Sequence, residues 1–210
     1  LPGSGKDRWL ATHRPELPVV SLDDTRTQLG VSHGEAEGQV RQAALEQAMD
    51  VTDVGFSKAE VLEVASNRRL LGEDGKVKVT RYTACRDPKI RALPVGTIDP
   101  LLRMVSFRSG DDVIATLTFY ATHPQSYYRT GQANPDFPGM ARNALQKQIG
   151  SPVIHFNGAG GNIGAGKWND GSQGNRQVLA DKVLAGMVAA YEQLEFSPVS
   201  SAALNWTTEP

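Results

Sequence analysis

Hydrophobic and polar positions in the second half of the chain alternate in short runs, punctuated by glycine and proline. The segments "LRMVSF" (102–107) and "VIATLTFYA" (113–121) are rich in β-branched and aromatic residues, and "RSGDD" supplies turn chemistry between them. That pattern predicts a β-hairpin. Upstream, "AEVLEVASNRR" (59–69) holds a short strand-like run, and "GEDGKVKVTRYTA" (72–84) reads as a turn leading into an alternating strand. The proline-rich stretch "RDPKIRALPVGTIDPLL" (86–102) predicts irregular chain wrapped over the surface. Beyond the hairpin, Pro138 suits the first turn of a helix running to about Gln148. "PVIHF" (152–156) then predicts a buried strand, and "NRQVLADKVLAGMVAAYEQL" (175–194) a long helix. In that helix Ala180, Val183, Leu184, Met187, Val188 and Tyr191 fall on one apolar stripe. The final "SAALNWTTEP" (201–210) reads as one more strand. Strands alternating with helices after Leu101 predict an α/β fold, a mixed sheet with packed helices.

The first 48 residues have a different texture. "LPVVSLDD" (17–24) reads as a short buried strand, and "EGQVRQAALEQAMD" (37–50) as a helix rich in Ala, Gln and Glu. Residues 1–50 carry five basic and eight acidic side chains, net −3; the remainder carry 17 and 15, net +2. We therefore expect a mostly helical leader over 1–48 and a separate α/β domain over 49–210. The whole chain has 210 residues, 40% hydrophobic and 21% charged, with a net charge of −1. Such balance gives no field to recruit nucleic acid. No apolar run reaches the roughly 18 residues of a spanning helix. Cys85 is the single cysteine, which excludes an internal disulfide and a multi-cysteine metal cage. A charged n-region followed by an apolar h-region is not seen at the N-terminus.

The leader begins "LPGSGKD", which resembles a phosphate-binding loop of the form G-x-x-x-x-G-K-[ST] from its second residue on. Gly3 and Gly5 would bring backbone N–H groups to a phosphate, and Lys6 would reach its outer oxygens. Asp7 stands where a Mg²⁺-holding Ser or Thr is usual. With "LPVVSLDD" and "VRQAA", this front piece resembles a P-loop ATPase of the polynucleotide-kinase type. The resemblance implies ATP binding, with Asp23 or Asp24 facing an acceptor substrate.

In the second part, two features carry candidate chemistry. His123 ends a strand in "FYATHPQS", a position that suits a ligand or general base. "HFNGAGGNIGAGKWNDGS" (155–172) places six glycines after a strand and before a helix. So much glycine lets backbone approach something closely. A phosphate cradle would run directly into its helix, and "KWNDGSQG" (167–174) intervenes here.

Taken in order, "VASNRRLLGEDGKV", "CRDP", "GTIDPLL", "ATHPQS", "NPDFPGMAR" and "HFNGAGGNIGAGKWND" resemble the N-terminal catalytic domain of the neutral/alkaline non-lysosomal ceramidases, from about Val51 to Leu194. The resemblance implies zinc-dependent hydrolysis of the amide of an N-acyl sphingoid-type lipid, in proteins often secreted or membrane-associated. It makes His123 a zinc ligand. It lays the family's N-x-G-D-x-S-P-N segment on Asn157, with Gly160 at the Asp, Asn162 at the catalytic Ser and Gly164 at the last Asn. Asn162 cannot be deprotonated as a nucleophile, but it can donate to an oxyanion or orient a water. The backbone N–H groups of Gly160 and Gly161 would approach a metal-bound substrate. The family's upstream "THTHS"-like ligand segment has no counterpart before Asn67, since His13 and His33 lie in the leader, and its later Glu and Tyr ligands lie beyond this chain. The resemblance thus implies an incomplete domain with an incomplete zinc site.

The remaining polar residues have plainer readings. His155 points into packing. Tyr127 and Tyr128 line a groove or simply end a strand, and Asp136 is a helix cap or a site residue. Arg68 and Arg69 lie on the surface, where an anion contact is open to them. Asn205-Trp206-Thr207 fits the N-glycosylation pattern. Three functions stand side by side at this point: a ceramidase-like amide hydrolase, an ATP-binding kinase-like protein, and a non-enzymatic chain made of two joined pieces.

Overall fold

A computed structural model of the chain describes residues 49–126, 133–200 and 202. The chain divides between Asp50 and Val51, and the elements below all belong to the second unit. The P-loop-like Gly3, Gly5 and Lys6 lie outside the described residues, as do His13, His33, Tyr127, Tyr128 and Asn205.

The described unit is α/β. Its main sheet has five strands in the order β7-β6-β5-β1-β9. They are β1 (Asp53–Glu60), β5 (Leu101–Ser109), β6 (Asp112–Tyr120), β7 (Val153–Asn157) and β9 (Glu195–Pro198). Short strands β2 (Ser66–Asn67) and β8 (Ile163–Gly164) pair with each other, and β3 (Arg69–Leu71) pairs with β4 (Val77–Thr80). The helices are α1 (Pro88–Ala92), α2 (Asp136–Ile149) and α3 (Gln173–Glu192).

The predicted hairpin is β5–β6, turning at Gly110 with φ 60°. β6 then runs parallel to β7, with Thr116 opposite Val153 and Tyr120 opposite Asn157. Parallel neighbours need a crossover, and α2 supplies it. This β6–α2–β7 unit brings two strand C-terminal ends side by side, the usual location of sites on open α/β sheets.

Register separates the two faces of the sheet. Ala59, Leu102, Met104, Tyr120 and Val153 face the helices and are buried. Against them pack Phe137, Ala141 and Leu145 of α2 and Leu179, Val183 and Met187 of α3. Ala180, Val183 and Met187 of the predicted stripe are buried, with Leu184, Val188 and Tyr191 packed at its border. Gly186 brings α3 close to the chain just after β1: a Cβ there would lie 2.6 Å from Cγ2 of Val61.

Two element readings change, and the strand expected over 201–210 lies, apart from residue 202, outside the described residues. The strand near the SNRR stretch is β1, which precedes "VLEVA"; Val61, Val64 and Ala65 instead enter the core from a loop. Alternation in "DVGFSKAE" is blurred by exposed Phe56 and by a glycine, and this hid the strand. Part of the stretch read as irregular forms α1, capped by the Asp87 carboxylate accepting from the backbone N–H of Lys89. The strand after α3 is β9, within "EFSP", while 203–210 lies outside the described residues.

The segment from Ile90 to Val95 is held by two cations, one of them fully buried. Arg81 is fully buried, and its Nη1 donates to the carbonyls of Ile90 (3.4 Å) and Leu93 (3.1 Å). Its Nη2 donates to Asn67 (3.0 Å), Pro94 (3.1 Å) and Val95 (3.4 Å). Lys167 Nζ adds bonds to the carbonyls of Arg91 (2.9 Å) and Leu93 (2.7 Å). Removing Arg81 would leave several part-buried carbonyls without their donor. Arg81→Met should therefore cost about 1–3 kcal/mol, read as a lower urea midpoint.

Candidate functional site

The site forms where β6 and β7 end. His123 lies three residues past β6, and the glycine loop leaves β7 at Gly158. The loop folds back onto the end of β6. The Gly158 N–H donates to the Tyr120 carbonyl at 2.9 Å, and the His123 N–H donates to the Ile163 carbonyl at 3.1 Å. A Cβ on Gly158 would meet the backbone of Ala121 at 3.2 Å, and one on Gly160 the carbonyl carbon of Thr122 at 3.0 Å. Gly166 is tighter still, since a Cβ there would fall 2.0 Å from the Tyr82 oxygen. These glycines are needed because backbone packs on backbone. Gly161 differs: it is exposed and has open space where a side chain would begin.

That packing fixes His123. Its Nδ1 lies 2.7 Å from the Gly160 carbonyl oxygen. A carbonyl can only accept, so Nδ1 carries the proton and Nε2 presents a lone pair in the neutral ring. Arg68 Nη1 lies 3.4 Å from that Nε2.

Arg68 arrives by a separate route. The β2–β8 bridge pairs Ser66 with Gly164 and Asn67 with Ile163, which seats the SNRR stretch against the glycine loop. The Arg68 N–H donates to the Asn162 carbonyl at 2.7 Å. The Asn162 carboxamide is held at both ends: its nitrogen donates to Asn67 Oδ1, and its oxygen accepts from Arg69 Nη1 at 3.1 Å. Asn67 is itself confined by Gly96, where a Cβ would lie 2.6 Å from its own Cβ. His123, Arg68, Asn162, Arg69 and Asn67 thus make one connected polar cluster. Arg68 and Arg69, read as surface residues, instead serve this cluster, although Arg69 remains exposed. The adjacency of two arginines to an asparagine in "SNRR" was a usable signal, but only the β2–β8 pairing shows where they point.

Asn157 ends β7 and is exposed; it lines a cavity of about 380 Å³ with His155, Arg142, Pro124 and Pro138. No bond joins it to the His123 cluster among the described residues. His155 packs inward as expected, with Nδ1 2.9 Å from Thr118 Oγ1, and its Nε2 is buried with no hydrogen-bond partner among the described residues. Burial, assisted by the Arg142 charge, lowers its pKa to about 4. Asp136 is an anchor. Its carboxylate accepts from the N–H groups of Ser126 (3.1 Å) and Phe137 (2.7 Å) and lies 3.4 Å from Arg176 Nε. Asn169 had no role assigned from sequence. It is fully buried and joins Thr83, Ser126, Gly171 and Asn175.

Among the described residues, no three His, Cys, Asp or Glu side chains come together to hold a metal ion. Of the cluster, His123 is the one side chain of a zinc-ligating type, and a guanidinium stands at its Nε2. A zinc centre needs three or four such ligands, so the described donor set does not fit zinc by itself. No helix among the described residues is long and apolar enough to cross a membrane.

The fold is similar to that of the neutral ceramidase from Pseudomonas aeruginosa, known from a crystal structure. The TM-score is 0.50 at 14% sequence identity, over 74% of this chain and 25% of that one. The chain therefore spans about a quarter of the length of the ceramidase it matches. At this identity the likeness defines the class as a ceramidase-like α/β fold and no more. No family model matches the chain, and no curated protein does.

Two outcomes follow from this geometry. His155 stays neutral in the fold to about pH 4, whereas the unfolded chain protonates it near its ordinary 6.5. The unfolded state then binds more protons between these values, so stability falls as pH drops from 6.5 towards 4, by up to about 3 kcal/mol. Urea titrations across this window should show that slope, and His155→Gln should flatten it. Gly160→Ala should lower the melting temperature and loosen the His123 Nδ1 proton, read as a broadened imidazole ¹⁵N signal.

Proposed function

We propose that this chain carries part of the site of a ceramidase-like hydrolase acting on the amide of an N-acyl sphingoid-type lipid. The observation that carries this reading is the His123–Arg68 pair at the ends of two parallel strands, with Asn162 locked beside it. The shared fold with a neutral ceramidase and the order of the sequence segments support it.

The residues suit particular parts of an amide hydrolysis. Asn162 has no ionisable proton, so the attacking group must be water. His123 Nε2 is the basic nitrogen in reach, and the bond from Nδ1 to the Gly160 carbonyl fixes the ring's orientation and tautomer. Arg68 brings positive charge to the same point. Negative charge that develops on the amide oxygen would meet that guanidinium, already in position before the reaction. Zinc, which the resemblance implies, would need ligands besides His123, and no step is assigned to it.

The test is hydrolysis of an N-acyl sphingosine by the purified chain, with and without added Zn²⁺, alongside zinc analysis. Wild type should turn over, and His123→Ala should lose about 100-fold or more of the rate. Arg68→Leu should lose a similar factor through the rate rather than through substrate binding. No turnover under either condition, or equal rates and equal zinc in wild type and His123→Ala, would remove the reading.

A further inference from the structure

Two adjacent guanidinium groups stand at the candidate site without a counter-charge. Arg68 and Arg69 take part in no ion pair among the described residues. The segments that build the cluster, 66–71, 122–124 and 158–164, contain no Asp or Glu. Arg68 is half-buried. Its Nε is buried with no hydrogen-bond partner among the described residues, and its Nη1 has the 3.4 Å contact to His123 Nε2. A sheltered cation with unused donors is a group whose partner comes from outside the fold.

Arg69 is exposed, and its Nη1 donates to Asn162 Oδ1 at 3.1 Å. That bond aims the guanidinium, because Asn162 is itself tied to Asn67, and Gly96 confines Asn67. An arginine fork held at one nitrogen keeps its other N–H groups for a second acceptor. Gly161, which precedes Asn162, has open space where a side chain would begin, so this edge of the loop is open.

The proposed reaction uses Arg68 where charge develops on the amide oxygen, and it gives Arg69 no task. We propose that Arg69, with Arg68 beside it, binds a permanent oxyanion, a carboxylate or phosphate, carried by the amide substrate itself. The preferred substrate class is then an anionic N-acyl amide rather than a neutral one. This rests on the hydrolase reading for the amide, while the oxyanion contact needs no turnover. An isolated surface ion pair contributes little. Here the fork is held in place beforehand, a second guanidinium adds its charge, and the oxyanion can accept parallel N–H bonds. Together these favour an oxyanion over a hydroxyl in the same place by about tenfold or more.

The test is isothermal titration calorimetry on the full 210-residue chain at low ionic strength. The titrants are N-octanoylglycine, N-octanoylethanolamine, in which a hydroxymethyl replaces the carboxylate, and inorganic phosphate. Wild type should bind the glycine conjugate about tenfold tighter than the ethanolamide, by a margin that shrinks as salt is added. Arg69→Gln keeps a donor for Asn162 and should keep the circular dichroism spectrum, yet bring the two amides to within about twofold of each other. Phosphate should compete with the glycine conjugate and bind more weakly than it. Equal affinity for the two amides in wild type, or binding of neither, would overturn the inference, as would a preference that survives in Arg69→Gln. Phosphate bound tighter than either amide would mark a site for a free anion and overturn the assignment to substrate. Failure of the hydrolase reading shows as absent turnover, and failure of this one as absent preference in binding.

Discussion

The candidate site depends on one close approach: the backbone of the loop after β7 lies directly on the backbone that ends β6. Gly158 and Gly160 permit it, since any Cβ would press into Ala121 or Thr122. From this contact follows the bond between Gly160 and His123, and from that bond the lone pair on Nε2 that faces Arg68. The same loop continues into β8, which recruits β2 and with it Asn67, Arg68 and Arg69. A side chain at Gly158 or Gly160 would press on the backbone that ends β6 and strain the bond that holds His123.

A second constraint holds the far side of the cluster. Arg81 and Lys167 satisfy the carbonyls at the end of α1 and in the loop after it, and Arg81 also bonds the Asn67 carbonyl. The end of a short helix leaves orphan carbonyls, and here two cations answer them in place of the usual glycine cap. The cost of burying Arg81 is offset by five acceptors. The result is a rigid backing for β2, where a mobile loop would let Arg68 drift from His123.

Much of the fold was legible in the sequence because strong periodicity reports burial. The β5–β6 hairpin, α2, β7 and α3 were visible within a few residues of their ends. β1 escaped because its exposed face carries Phe56 where a polar residue is expected. β2 and β8, two residues each, leave no periodic trace at all. His123 and the glycine loop stood out by composition. Arg68 and Arg81 did not, since an arginine that serves a buried carbonyl cage reads like any surface arginine.

The sequence by itself determined the α/β class, the helix faces and the glycines that make close backbone contact possible, because these depend on local propensity and on the absence of a side chain. Only the tertiary structure decided which polar groups meet. Asn67, Arg68 and Asn162 are 95 and 94 positions apart in the first and second pairs with Asn162, and their contact requires the β2–β8 bridge. It also turned the meaning of the glycines. They look like a cradle for a ligand, but Gly158, Gly160 and Gly166 face the protein's own backbone, and only Gly161 among the loop's first three glycines has open space beside it.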